Sequence, residues 1–363
     1  MECLGSRILA ERTEEALRGL VLDKQDDCAY RRVLDNWDSI AKPLDGLGRF
    51  ETITARIGGI CGTDKINIAK KAVIIMCADN GIVAEGVSQS GQEITAAVAA
   101  QMGKGKSCVG KMAAAVGVDT IPIDIGINTD KRIEGVLDRK VRRGTGNFRK
   151  EPAMTREEAL KAIFIGIETV AECKKKGYHI LATGEMGIGN TTTSSAVAAA
   201  LLRCSAEEVT GRGAGLNDEK LLCKKRIIAE AVEKYKLYEA DTLTVLAVVG
   251  GLDIAGLAGV CIGGGIFHMP IVLDGVISMT AALAAERIVR GTIQYLIPSH
   301  KGKEPAVDKL VKELKLEPVI DGEMALGEGT GAVMMLSLLD TALCVYGGRT
   351  LFEDIKAEPY KRY

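Results

Sequence analysis

Aromatic side chains make up only 4% of the 363 residues, whereas glycine alone contributes 42. That balance suits helices lying close on a sheet, with little bulk between their backbones. A basic excess is also missing. The 47 Lys and Arg meet 48 Asp and Glu, for a net charge of −1. Nucleic-acid binders usually carry a positive surplus, so nucleic acid is not an expected partner. Only three histidines occur, and none has a second ligand at zinc-site spacing. No metal and no cofactor is therefore expected. The ten cysteines are scattered, with no Cys-x-x-Cys pair. They read as reduced thiols of a cytoplasmic protein. No apolar signal segment follows the charged start from Arg7 to Glu15.

Two further absences matter. No dinucleotide fingerprint follows the first apolar strand, which runs into Asp79-Asn80-Gly81. The segment from Gly105 to Lys111 nearly fits a phosphate-binding P-loop. Met112 stands where a magnesium-binding hydroxyl is needed, and no strand precedes it. The uncharged stretch 254–273 has the length of a membrane span. Its five glycines between Gly256 and Gly265, and Pro270, favour a buried helix feeding a core strand. No membrane partner is expected.

Apolar runs at 72–78, 120–126, 179–183, 270–273 and 295–297 read as strands. Between them lie helical stretches at 93–112, 155–176 and 241–249. Thr155 and Glu158 form a capping box at the second of these. Apolar strands separated by helices predict an α/β fold, a mostly parallel sheet with helices on both faces. In such sheets ligands sit beyond the carboxyl ends of the strands. Here those ends carry Asp79-Asn80-Gly81, Asp124-Ile125-Gly126, Gly184-Glu185, Asp274-Gly275 and Ser299-His300.

Against this frame two glutamates stand out, each among glycines. One lies in Gly184-Glu185-Met186-Gly187-Ile188-Gly189-Asn190-Thr191-Thr192, the other in Gly327-Glu328-Gly329-Thr330-Gly331. Glycine lets a ligand approach the backbone closely. The first turn opens a helix, and a helix start attracts phosphate. A tight strand-to-helix turn with Thr caps is the plainer alternative, as an exposed turn is for the second. A third glycine-rich loop, Gly211-Arg212-Gly213-Ala214-Gly215, can complete a phosphate cradle. Lys224 in the following helix can reach a carboxylate or phosphate, although Lys225 and Arg226 beside it also fit a solvated face. His300, after a strand, is expected to orient a phosphate or a loop. Together these features predict an enzyme acting on a small phosphorylated molecule.

The same segments, in order over nearly the whole chain, resemble the nicotinate-nucleotide–dimethylbenzimidazole phosphoribosyltransferases of cobamide lower-ligand activation. The matching stretches include Lys42-Pro43, Gly46-Leu47-Gly48-Arg49, Arg143-Gly144-Thr145-Gly146-Asn147, Gly250-Gly251-Leu252-Asp253-Ile254 and Pro298-Ser299-His300, with both glutamate turns. The resemblance implies a Rossmann-like catalytic domain over residues 61–339. A small helical domain would form from the chain ends, residues 1–60 and 340–363. It implies a metal-free homodimer that moves phosphoribose from nicotinate mononucleotide to a benzimidazole-type base. Glu328 matches the general base of that family, and Glu185 and Lys224 match its other charged site positions. Gly187 to Thr192, Gly213-Ala214, Ser299, His300 and Gly302 match segments around the nucleotide phosphate. Ser90 matches the base pocket, and Asp79 and Gly327 join the expected substrate-binding set. Two positions depart from many relatives: Asn80 replaces His, and Gly91 replaces Pro. The resemblance puts both near the base-binding side, so benzimidazole, adenine and phenolic acceptors stay open, as does pairing with a paralogous subunit. A non-catalytic nucleotide-binding partner built on the same fold is the competing class.

Overall fold

The computed structural model describes residues 4–362. Its centre is a six-stranded sheet of β1 (Lys71–Ala78), β2 (Asp119–Gly126), β3 (Leu137–Asp138), β4 (Ile180–Met186), β5 (Ile271–Leu273) and β6 (Leu296–Pro298). The spatial order is β3-β2-β1-β4-β5-β6, and every pairing is parallel. The chain order therefore reverses direction between β1 and β4. That switch point opens a crevice at the carboxyl end of the sheet.

Both faces are covered because the strands are apolar on both sides. Along β1 all eight residues are buried. Ala72, Ile74, Met76 and Ala78 join one core, and Val73, Ile75 and Cys77 join the other. The helices Arg156–Lys175, Asn190–Leu202, Leu252–Ile266 and Val276–Ile288 pack on the first face. The helices Glu93–Gly103, Cys108–Ala115 and Thr330–Gly347 cover the second.

The glycine content has a direct packing use. A methyl group on Gly166 would overlap the carbonyl of Gly256, and one on Gly259 the carbonyl of Ile163. The helices Arg156–Lys175 and Leu252–Ile266 thus touch backbone to backbone. The second of these is buried along its whole length, as the reading of 254–273 required. Among the described residues one helix, Thr330–Gly347, is long and apolar enough to cross a bilayer, and half of its apolar window lies inside the fold.

Several boundaries moved. The single helix expected at 93–112 is two. Gly105 takes φ +65°, and Ser107 caps a new helix with its side chain accepting the Gly110 N–H at 3.1 Å. β4 runs three residues past Thr183, so Glu185 sits on the strand and not in the turn. A short parallel pair, β7 (His300–Gly302) and β8 (Ile320–Met324), was not foreseen.

The chain ends meet away from the sheet. Val33, Trp37, Ile40, Ala55 and Tyr346 form a third core. The Trp37 indole donates to Thr54 Oγ1 at 2.8 Å, and Ile40 bridges Leu351. The helix Thr330–Gly347 runs unbroken from the sheet into this core, so the expected boundary at 339/340 falls inside one helix. Ile8, Leu17 and Leu20 of the N-terminal segment pack instead on the first sheet face.

Candidate active site

The crevice between β1 and β4 leads into one cleft, and its wall begins with Glu185. After β4 the turn Gly187-Ile188-Gly189 doubles back. A side chain at Gly187 would strike the Ala78 carbonyl, and Gly189 takes φ +93°. The helix Asn190–Leu202 then starts at the cleft, with Asn190 and Thr191 in the wall. Its N-terminus carries the positive end of the helix dipole, an attractor for an anion.

The second glutamate reaches the same cleft from the far end of the chain. Gly327, Glu328 and Gly329 take φ of +81°, +62° and +93°. Three left-handed residues in a row are costly except for glycine, and only the middle one carries a side chain. Glu328 Oε2 accepts the Val109 N–H at 3.0 Å, in the first turn of the helix Cys108–Ala115. The two turns interlock. A methyl group on Gly184 would lie 2.5 Å from the Glu328 carbonyl, and one on Gly327 would lie 2.5 Å from Glu185 Oε1. The glycines around each glutamate thus make room for the other.

Behind this pair lie two buried aspartates. Asn190 Nδ2 donates both to Glu185 Oε2 and to Asp253 Oδ2, the latter at 3.1 Å. Burial pushes the Glu185 carboxyl up to about 8, reinforced by the charges of Asp253 and Asp274. Burial likewise pushes Asp253 up to about 6. Asp274, after β5, anchors the other turn. It accepts N–H groups from Gly329 at 3.1 Å, Gly331 at 2.9 Å and Ala332 at 3.2 Å, at the start of the helix Thr330–Gly347. Burial raises the Asp274 carboxyl, while His300 opposes that shift. The His300 ring is 2.9 Å from Ser299 Oγ and 3.9 Å from Asp274 Oδ1 through Nδ1.

Lys224 is wholly buried. Its ammonium donates to Thr191 Oγ1 at 2.9 Å and to the Gly211 carbonyl at 3.2 Å. Burial pushes it down to about 8, with Glu304 acting against that. Glu304 in turn accepts the Gly213 N–H at 3.0 Å. Lys224 thus braces the helix start and the Gly211–Gly213 loop from behind. Its hydrogen bonds go there and not to a carboxylate, one of the two partners expected from sequence.

Of the residues singled out from sequence, Glu185, Gly187, Ile188, Gly189, Asn190, Thr191, Gly213, Ala214, His300, Gly302, Gly327 and Glu328 line the cleft. Lys224, Thr192, Ser299, Asp79 and Ser90 lie outside its wall. Ser299 contacts His300, and Asp79 accepts the Asn128 N–H at 2.7 Å. Ser88 and Gln89 line the cleft in the segment of Ser90. Asn80 sits under the turn, donating to the Ile188 carbonyl at 3.4 Å, and lies outside the cleft wall. Sequence reasoning assigned no role to Asp253, Asp274 or Glu304. Asp253 and Asp274 stood in quoted motifs, and a lone acid within an apolar, glycine-containing run was the available signal.

The cleft can thus hold an anion at a helix start, present one carboxylate to a ribose-sized centre, and present a second beside it. Comparison with known proteins agrees in kind. A family model described as phosphoribosyltransferase matches residues 22–356. The nicotinate-nucleotide–dimethylbenzimidazole phosphoribosyltransferase of Acetivibrio thermocellus is 46% identical over 335 residues, covering 92% of this chain and 94% of that protein. The enzyme of that name from Clostridium acetobutylicum is 44% identical over 336 residues, covering 93% and 96%. The solved structure of the Thermus thermophilus enzyme superposes with a TM-score of 0.85 at 34% identity, covering 92% of this chain and 99% of that one. The chain belongs to the nicotinate-nucleotide–dimethylbenzimidazole phosphoribosyltransferase family.

Proposed function

We propose that this protein transfers phosphoribose from nicotinate mononucleotide to 5,6-dimethylbenzimidazole or a related base, releasing nicotinate and forming an α-ribazole 5′-phosphate for the cobamide nucleotide loop. The observation that carries this reading is the interlock of the two glutamate turns in one cleft.

The nucleotide's phosphate sits at the start of the helix Asn190–Leu202, with Gly213, His300 and Gly302 around it. Lys224 holds Thr191 and the Gly211–Gly213 loop in place beneath that phosphate. The bond from C1 of ribose to the pyridinium nitrogen breaks, and its electron pair leaves with nicotinate. Positive charge then spreads over C1 and the ring oxygen. A fixed carboxylate next to that charge lowers the barrier without reorganising, and Glu185 is placed for this. The acceptor's ring nitrogen attacks C1 from the opposite face, which inverts the anomeric centre. Glu328 takes the proton that the ring must lose. Its carboxylate is oriented by the Val109 N–H.

The enzyme acts as a homodimer in the cytoplasm. Met334, Leu338 and Val345 are exposed on the helix Thr330–Gly347. Their spacing of four and seven residues puts them on one apolar face. The described cysteines are all free thiols, which fits a reducing compartment. The test is to incubate purified protein with nicotinate mononucleotide and an equimolar mixture of 5,6-dimethylbenzimidazole, benzimidazole, adenine and phenol. Mass spectrometry should find the dimethylbenzimidazole riboside phosphate and free nicotinate. Product from none of the four overturns the proposal, and product from phenol or adenine alone reassigns the acceptor.

A further inference from the structure

The cluster behind Glu185 contains an unusual accumulation of acid. Facing Glu185 are Asp253 from the helix Leu252–Ile266, Asp274 after β5, the Glu328 backbone and Asn190. Cys77 of β1 also feels its charge. Facing Asp253 are Asn190, Asp79 and Asn80. The titratable side chains among these are all acids; His300 borders only Asp274. Buried charge of one sign without a counter-charge is costly, and such carboxyls take up protons and become neutral instead.

One buried oxygen shows where a proton belongs. Asn80 is fully buried, and its Oδ1 has no hydrogen-bond partner. That oxygen and Asp253 Oδ1 both crowd the same side of Gly251, where a methyl group would overlap each. Two acceptor oxygens crowding one buried point are accommodated when one of them carries a hydrogen. The opposite orientation of the Asn80 amide would set its oxygen against the Ile188 carbonyl, to which Nδ2 now donates. Asp253 Oδ1 already accepts the Ile254 N–H at 3.0 Å. A protonated Asp253 keeps that bond and gives its own hydrogen to Asn80.

We propose that Asp253 is a positioning residue for the transfer: tied to the same Asn190 amide as Glu185, it holds the one proton the two carboxylates share when nucleotide is bound, donating it to Asn80 and leaving Glu185 ionised toward the ribose. This rests on the function proposed above, because nicotinate mononucleotide brings a pyridinium cation to the Glu185 side. Burial raises both carboxyls, so the pair holds a proton without the nucleotide as well, shared between Glu185 and the Asp253 oxygen that faces Asn80. The cation draws the shared proton from Glu185 onto Asp253, and no net proton need enter or leave.

The Asp253→Asn variant mimics the protonated acid toward both side-chain partners, since its amide can donate to Asn80 and its carbonyl can accept from Asn190; it gives up only the bond from the Ile254 N–H. Its kcat at pH 7 should fall by less than about fivefold, with the acid limb of the kcat profile unmoved. Asp253→Leu, which can do neither, should lose about a hundredfold in kcat with the KM for nucleotide little changed. A separate readout does not depend on turnover. An infrared difference spectrum on adding nicotinate mononucleotide to the whole protein should show one protonated-carboxyl C=O stretch replaced by another. The appearing band should be absent from Asp253→Asn. The proposal is overturned by a hundredfold loss in Asp253→Asn, by an acid limb moved down by about one unit, the scale of a coupled carboxyl pair, by full kcat in Asp253→Leu, or by a wild-type spectrum in Asp253→Asn. Failure of the wild type to bind the nucleotide or form product refutes the function itself, and so is a distinct result.

Discussion

Replacing Glu185 by Gln should abolish turnover and yet make the protein more stable at neutral pH. The carboxyl sits at about 8 in the fold against 4.5 in an unfolded chain. The native state therefore binds the extra proton between those values. The stability tied to that proton is fully present below pH 4.5 and is lost as the pH rises through about 8. Each unit of difference corresponds to about 1.4 kcal/mol. Relative to a side chain that is neutral at every pH, the carboxylate costs about 1 kcal/mol at pH 5. The cost rises to about 3 kcal/mol at pH 7 and levels off above pH 8. Gln keeps the shape, and its carbonyl can still accept from Asn190. The assay is urea unfolding of both proteins at pH 5, 6, 7 and 8, followed by circular dichroism. The gap in favour of the variant should widen with pH. A constant gap, or a variant less stable at pH 7, would refute the claim that Glu185 is held without a counter-cation. The same variant should also lack transferase activity, which is the usual cost of relieving a strained site.

Further outcomes follow from the geometry. Lys224 has its folded pKa near 8, below the ordinary 10.5. The unfolded chain binds the extra proton between these values, so the contribution of this lysine to stability rises with pH across pH 8–10.5, by up to about 3 kcal/mol. Lys224→Met should flatten that rise in unfolding measurements, and an unchanged slope contradicts the burial effect. Gly184→Ala puts a methyl group 2.5 Å from the Glu328 carbonyl. It should push the Glu328 turn out of register and lower kcat by at least about tenfold, as sub-ångström misplacement of reacting groups does; undiminished turnover would show that the interlock is slack. Asp274→Ala strands three N–H groups at the start of the helix Thr330–Gly347. A loss of about 2–3 kcal/mol in denaturant unfolding is expected, and a loss under about 0.5 kcal/mol would contradict it.

The parts of the site legible in sequence were those whose signal is local. Glycines on both sides of Glu185 and Glu328 marked carboxylates in tight backbone. Apolar runs ending in polar residues located the rim of the sheet. The parts that were not legible depend on packing between distant elements. Asp253 and Glu185 meet through Asn190, which donates across 63 residues to one and five to the other. Nothing in the spacing of Asp274 and Gly331 discloses the hydrogen bond between them. Lys224 looked like one of three neighbouring cations, and only the helix rotation buries it, while Lys225 is half-buried beside Glu207 and Arg226 stays exposed. The segment set aside as a false P-loop holds no nucleotide-binding pattern, yet its helix start supplies the Val109 N–H that orients Glu328. The extent of β4 was underestimated because Gly184 reads as a turn. The structure keeps it in the strand, since any side chain there would meet the Glu328 turn.

The central claim is that Glu328 removes the proton of the incoming base while other groups hold the nucleotide. Single-turnover transfer by Glu328→Gln, with nicotinate mononucleotide binding measured calorimetrically in the same preparation, tests it most directly. The account predicts nucleotide affinity within about threefold of wild type and transfer slowed by a hundredfold or more, the scale of general-base catalysis. Transfer at the wild-type rate with bound nucleotide would contradict it.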